Sequence, residues 1–469
     1  MQEVRKFVSE NKGLFLVFAL FLILELVNVF KARGILWDEA VYIGLGKSFF
    51  SLGSIGLYES FRPVAIPLIN GFFWKIGLDP FISRQVFAVI SSIALIFMTY
   101  LVAKDLFGKK TAFFSAMILA ISPVFIQNSS LVLVDIPSAV VLLSALYAFM
   151  KNKHLIAGLL SALAIIVKFP HLLLPMAFFA GFAVYAIMNK KIEYKRFLHY
   201  FSGFAIGIAP YLIFNYLMSM NDVGTWWHAV LRPFIFAQQA LIQDVIWTQG
   251  TGFLYYVKEL FFHNYLIIFG AAGLGACIAR KDFKKSNYLM LLVMTVAYLV
   301  YFSVQTHKEY RYAVIFLPLI AIFAGHGFDV AIKHKNWIRI AAFAILFLAL
   351  FNAVKLDVTQ KYEFPNTIEF YKLNMPADSK IILTSDPVPA ALFDKKVIPY
   401  YFNPIVGSNL YDADLQNADT VIFSRQSFYC QTQACEDALD LLEKKVRKNR
   451  LIAEEVVDGQ KIAIFSTSS

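Results

Sequence analysis

The chain has 469 residues, 59% of them hydrophobic and 16% charged, with a mean hydropathy of +0.61. Soluble domains carry roughly one quarter charged residues, so a soluble fold of this length is excluded. A net charge of +11 raises nucleic acid as a partner, but the lysines and arginines stand in short clusters between apolar runs, so they read as membrane topology and no nucleic acid is expected.

In chain order, apolar runs of spanning length, about 17–25 residues, lie at 12–30, 84–103, 111–127, 134–150, 154–170, 171–188, 199–218, 264–279, 287–304, 311–331 and 337–354. They predict a mainly α polytopic membrane protein of about eleven transmembrane helices. A signal peptide is the competing reading of the first run. The modest n-region before Lys12 and the lack of a small-residue cleavage site weigh against it. Pro123, Pro137, Pro170 and Pro175 crowd the ends of the third to sixth runs and leave those boundaries loose.

Orientation follows from the basic residues of alternate connections, which are retained in the cytoplasm. One set holds Arg5, Lys6 and Lys12; Lys104, Lys109 and Lys110; Lys151 and Lys153; Lys190, Lys191, Lys195 and Arg196; Arg280, Lys281, Lys284 and Lys285; and Lys333, Lys335 and Arg339. The N-terminus is therefore expected inside. An odd helix count then places the C-terminal region outside, in a multi-pass protein of the cell membrane.

That region, 355–469, mixes polar and apolar residues, with strand-like runs at 380–384 and 420–423, a helical stretch near 435–449 and a hairpin at Asp458-Gly459. It reads as a small extracytoplasmic α/β domain following a membrane domain over 1–354 that includes the outer loop 31–83. Cys430 and Cys435 form a disulfide if the region is outside, or stay two free thiols.

Ionisable groups at apolar segments are costly and mark function. Four places qualify, all on the extracytoplasmic side. Asp38 and Glu39 follow the first helix, where helix capping is the structural alternative. Asp135, before Ile136-Pro137, fits a helix start and brings a further carboxylate. Lys168 stands at an outer helix end where the topology rule gives no reason for a cation, and a snorkelling lysine is the alternative. His307-Lys308-Glu309-Tyr310-Arg311-Tyr312 gathers three basic groups, one acid and two aromatics before the tenth helix. Such a cluster suits a phosphate, with Glu309 orienting Arg311 or Lys308.

These parts fit sugar transfer outside the cytoplasm, where nucleotide sugars are absent and the donor is a flipped lipid. A carboxylate takes the acceptor proton, and cations meet the charge growing on the departing phosphate. No general acid is needed for that leaving group, and one displacement inverts the anomeric centre. Asp38, Glu39 and Asp135 are the oxygen ligands a divalent cation would use; no cofactor is assigned and no metal is placed.

Asp38-Glu39, Arg62-Pro63 with Ile66-Pro67-Leu68, Arg84, and the stretch from Leu106-Phe107-Gly108 through Ser122-Pro123 to Asp135-Ile136-Pro137 resemble the protein O-mannosyltransferase-like, family-39 branch of the GT-C glycosyltransferases. The likeness covers about the first 190 residues. It resumes at residues 307–312, similar to the His-Lys-Glu-x-Arg-Phe signature of dolichyl-phosphate-mannose-dependent enzymes, with Tyr312 in place of Phe. The resemblance implies a polyprenyl-phosphate sugar donor, dolichyl-phosphate mannose in the first instance, Asp38 as base beside Glu39, and interfacial helices roofing the site at 40–52 and 64–77. It implies a donor-phosphate cradle of Lys168, His307, Lys308 and Arg311, supported by Asp135, Arg62, Glu309 and Tyr310. The acceptor, whether glycan, lipid or protein, stays open, and related lipid A aminoarabinose transferases share the plan, so another sugar stays open too.

Rival readings make different demands. A secondary transporter predicts midplane charges, inverted repeats and broken helices. No repeat is visible, and the suspect charges lie at one face. An oligosaccharyltransferase would carry Trp-Trp-Asp-Tyr-Gly, which Trp226-Trp227-His228 is not. A membrane scaffold leaves the 307–312 cluster without a role.

Overall fold

The computed structural model describes residues 9–29, 34–59, 62–131, 133–219, 231, 234–235, 250–359, 365–401, 404–428, 430 and 432–467. It divides into two compact units: Met1–Phe30, Phe61–Pro63 and Gln85–Gln360 form one, and Lys31–Ser60, Val64–Arg84 and Lys361–Ser469 the other.

The first unit is helical, because a backbone in lipid must satisfy its own hydrogen bonds. Each of the eleven apolar runs carries a helix. By length and apolarity, six described helices are able to cross a membrane, or up to eight if two bent pairs each count as one. The difference from eleven has local causes. Asp135–Met150 and His154–Val167 are 16 and 14 residues long, about 24 and 21 Å at 1.5 Å per residue, short of a hydrocarbon core of about 30 Å. Lys109–Ala120 and Pro123–Ser129 bend by 65° where Pro123 removes a backbone donor. Tyr255–His263 and Tyr265–Ala279 bend by 116° at Asn264, whose amide donates to Ser122 Oγ and whose oxygen accepts from the Leu266 amide. The two breaks are therefore tied to each other.

The span Tyr310–Ile332 is 78% buried, against 17% for Tyr194–Leu217 and Asn336–Lys355, so it is the axis of this unit. Small residues allow close approach. A Cβ on Gly273 would overlap the Phe323 carbonyl, and one on Gly327 the Phe269 carbonyl.

The second unit is built on a six-stranded sheet of order β1-β3-β2-β4-β6-β5. Its strands are β1 (Gly56–Leu57), β2 (Ile381–Thr384), β3 (Lys396–Pro399), β4 (Thr420–Ser424), β5 (Arg450–Val457) and β6 (Gln460–Ser466). β1 to β4 pair in parallel, and β6 runs antiparallel to both β4 and β5. The expected strands at 380–384 and 420–423 are β2 and β4, and the expected hairpin is β5–β6, turning at Asp458 (φ 51°) and Gly459 (φ 79°), as a two-residue turn of this twist requires. Cys430 and Cys435 are joined as a disulfide.

The outer loop divides differently from the expectation. Its strand β1 extends the sheet, with Gly56 opposite Lys396 and Leu57 opposite Val397. Side chains alternate between the faces, so Leu57, Ile382, Val397, Ile422, Ile462 and Ile464 line one side, where Ile35, Ala40, Val41 and Ile43 of the loop pack. Leu383, Val421, Phe423, Ala463 and Phe465 line the other, under Leu439, Leu442 and Val446 of the helix Gln433–Val446. The helices Trp37–Phe50 and Ala65–Lys75 cross at Gly46 and Gly71. Expected as interfacial helices over 40–52 and 64–77, they belong by packing to the same body as 361–469.

Candidate active site

The candidate residues fall in two groups, one in each unit. In the sheet-bearing unit, Asp38 and Glu39 occupy the first turn of Trp37–Phe50. Glu39 is fully buried: its Oε2 accepts from the Leu36 amide at 3.0 Å and from the Arg84 guanidinium at 3.1 Å. Arg84 is also buried and lies 4.8 Å from the Phe81 ring centre. The carboxylate at the third helical position thus closes the helix start and neutralises a buried guanidinium. Asp38, one residue earlier, projects differently and is only half-buried.

In the helical unit, Asp135 opens Asp135–Met150 and is 1% exposed. Lys168 follows His154–Val167 with extended backbone (φ −155°, ψ 120°), which separates that helix from the turn Phe169–Leu172. Lys168 Nζ meets Asp135 Oδ1 at 2.7 Å and stands 4.6 Å from the Tyr312 ring centre. Instead of snorkelling, Lys168 is buried and paired.

Tyr312 joins this pair to the 307–312 cluster. Its hydroxyl donates to Glu309 Oε1 at 2.7 Å. The same oxygen lies 2.9 Å from His307 Nε2 and accepts from Arg311 at 2.9 Å, while Glu309 Oε2 is 2.6 Å from Arg311 Nε. Burial opposes charge on Glu309, but the Arg311 guanidinium and the hydrogen bonds from His307, Arg311 and Tyr312 win, holding it well below the usual carboxylate range. Lys308 donates to the Gln305 carbonyl, and burial pulls its ammonium down. Tyr310 packs on His263 with ring centres 5.2 Å apart. Arg62 is half-buried ahead of Ala65–Lys75.

In the helical unit the structure therefore brings Asp135, Lys168, His307, Glu309, Arg311 and Tyr312 into one network. Among the described residues, the basic side chains of Lys168, His307 and Arg311 gather around Tyr312 and Glu309, a donor set that suits an anion. Arg311 retains the most open side chain of the paired cations, at 22%. Among the described residues, no three His, Cys, Asp or Glu side chains gather as a metal-binding group.

Sequence reasoning missed several members. Arg84 was legible only as a helix start, and Tyr312 as a substitution in a motif. Glu25, 2% exposed inside Lys12–Val29, accepts from Ser129; an acid in an apolar run is a signal that could have found it. His171 and Tyr298, both fully buried, lie 2.6 Å apart from ring nitrogen to hydroxyl.

Residues 62–214, about one third of the chain, match the family of dolichyl-phosphate-mannose-protein mannosyltransferases. Among curated proteins none matches. Among solved structures, ArnT from Cupriavidus metallidurans bound to undecaprenyl phosphate is similar with a TM-score of 0.65 at 13% identity, covering 98% of each chain. The oligosaccharyltransferase AglB from Archaeoglobus fulgidus, in complex with an inhibitory peptide and a dolichol-phosphate, is similar with a TM-score of 0.54 at 14% identity, over 94% of this chain and 72% of that one. The arabinofuranosyltransferase AftD from Mycobacteria has a TM-score of 0.54 at 13% identity; 98% of this chain is covered, over 40% of that one. Residues 62–214 thus match that family, and the chain over nearly its whole length has the fold of these GT-C membrane glycosyltransferases.

Proposed function

We infer that the chain moves a hexose, mannose in the first instance, from a polyprenyl-phosphate donor to an acceptor hydroxyl on the extracytoplasmic face, with inversion. The observation that carries this reading is the Glu309-centred cluster at the start of the most enclosed of the described spans, where one carboxylate gathers His307, Arg311 and Tyr312. The ArnT and AglB structures hold undecaprenyl phosphate and dolichol-phosphate, which supports a lipid phosphate as its ligand here. The match to dolichyl-phosphate-mannose enzymes supports the sugar. Basic residues in alternate connections support a cytoplasmic N-terminus.

The roles divide by charge. As the acceptor oxygen bonds to the anomeric carbon, the bond from that carbon to phosphate oxygen breaks, and the phosphate gains a second negative charge. Arg311, with His307 and Lys308, meets that charge. Asp135 holds Lys168 and, through the Tyr312 ring, steadies the cluster. The acceptor proton goes to Asp38, the half-buried carboxylate in the first turn of Trp37–Phe50.

The test is transfer of radiolabelled mannose from dolichyl-phosphate mannose to endogenous acceptors in membranes. Asp38→Asn and Arg311→Ala are each expected to lose at least about a hundredfold in rate at normal membrane abundance. Full activity in both variants, or no transfer by the unaltered chain from any polyprenyl-phosphate sugar, overturns the reading.

A further inference from the structure

Trp37–Phe50, which carries Asp38, is fastened to the sheet at both ends. At its start, the Trp37 ring meets the Tyr401 ring edge-on, with centres 4.7 Å apart and planes at 69°. Tyr401 lies two residues beyond β3 and is 6% exposed; its hydroxyl donates to Glu59, also 6% exposed and two residues beyond β1. Glu59 and Tyr401 therefore stand at the carboxyl ends of two paired parallel strands. The backbone before Tyr401 is fixed in turn: the Tyr400 amide donates to Thr384 at 3.0 Å, and its hydroxyl to the Ile422 carbonyl at 2.6 Å.

Toward the other end, Lys47 is 2% exposed. Its ammonium donates to the Ala391 and Phe393 carbonyls at 2.9 and 3.2 Å and pairs with Asp394 at 2.9 Å. Asp394 also accepts from the Trp74 indole of Ala65–Lys75 at 3.1 Å. A helix held only by its apolar face can slide or turn by a fraction of a residue. Directional bonds at both ends, to groups on separate strand ends and a helix turn, remove that freedom.

We propose that residues 361–469 act as the positioning frame of the catalytic carboxylate, with Tyr401, held by Glu59 and set edge-on against Trp37, setting where Asp38 stands. This rests on the reading of Asp38 as the base. Tyr401 touches no reacting atom in this account and acts through the residue next to the base. A displacement of about 1 Å at a reacting group costs on the order of a hundredfold in rate, so a frame of this kind has a large effect without contacting substrate.

The experiment compares Tyr401→Ala, Tyr401→Phe and Asp38→Asn in the full-length chain, measuring Vmax per amount of folded protein, donor KM and the pH profile of transfer. Tyr401→Ala is expected to lower Vmax roughly 10- to 100-fold, to leave donor KM within about twofold, and to displace the acid limb of the profile. Tyr401→Phe keeps the ring against Trp37 but loses the bond to Glu59, and its rate is expected to fall between those of the unaltered chain and Tyr401→Ala. If Asp38→Asn is inactive while folded Tyr401→Ala keeps its Vmax and acid limb, the frame is overturned and the base stands. If Tyr401→Ala changes donor KM alone, Tyr401 serves binding and the proposal also fails. If Asp38→Asn is fully active, the base assignment fails first. Should Tyr401→Ala not accumulate, Lys47→Met at the other fastening carries the same test, and an unchanged Vmax and profile there overturns the proposal.

Discussion

The two adjacent acids, Asp38 and Glu39, show how far a residue's role depends on a partner elsewhere in the chain. In the sequence both are candidates, and the resemblance alone names Asp38 as base beside Glu39. In the fold, Glu39 is fully buried with Arg84, 45 residues away, and Asp38 is half-buried. Removing one member of a buried ion pair strands the other, at about 3–5 kcal/mol. Arg84→Ala is therefore expected to lower thermal stability in detergent far more than Asp38→Asn, and a melting temperature unchanged by Arg84→Ala would refute a buried, committed Glu39. The 307–312 cluster was legible because its members are contiguous. The Lys168–Asp135 pair, 33 residues apart, and the link through Tyr312 were not, since nothing local specifies them.

The sign of the pH effect follows at the same residue. Glu309 has a depressed value, so its contribution is fully present above the ordinary glutamate range and is lost only as pH falls through its own lower value. Mild acid should leave the cluster intact. Glu309→Gln is expected to raise donor KM at every pH between about 5 and 8, because His307 and Arg311 lose their shared acceptor; an unchanged donor KM would remove Glu309 from phosphate binding.

Elements were more legible than partners. Hydropathy located a helix at each apolar run, but not the bends, which depend on Pro123 and on a bond between Asn264 and Ser122, 142 residues apart. Nor did periodicity mark β1, which has two residues and exists because β3 offers it an edge. Helix contacts set by glycine are similarly invisible in one dimension. Gly327→Val forces a side chain against the Phe269 carbonyl, and overpacking of this kind costs about 1–3 kcal/mol. The expected outcome is a lower melting temperature with donor KM preserved; an unchanged melting temperature would show that Tyr310–Ile332 and Ile268–Ala279 pack more loosely than described.

For the whole molecule, composition was enough to give the membrane class and the change of character near residue 355. It was not enough to place the outer loop, whose strand and helices complete a body assembled mostly from the far end of the chain. Truncation after residue 360 leaves β1 without a partner and uncovers Ile35, Ala40, Val41 and Ile43. That truncated chain is expected to fall in abundance and to lose transfer, as measured by quantitative blotting beside the mannose assay. Normal abundance with full transfer would show the two parts to be separable.

The bond from Lys47 to the Ala391 carbonyl spans 344 residues. At about 5–20 residues per second, the outer loop emerges roughly 17–70 s before the strand and turn that complete it. Through that interval every remaining apolar helix is made and inserted, while the loop waits with an uncovered apolar face. The birth of the protein therefore contains an obligatory pause, set by gene order rather than by any folding barrier, during which Trp37–Phe50 has Ala65–Lys75 beside it but not the sheet that covers its other face.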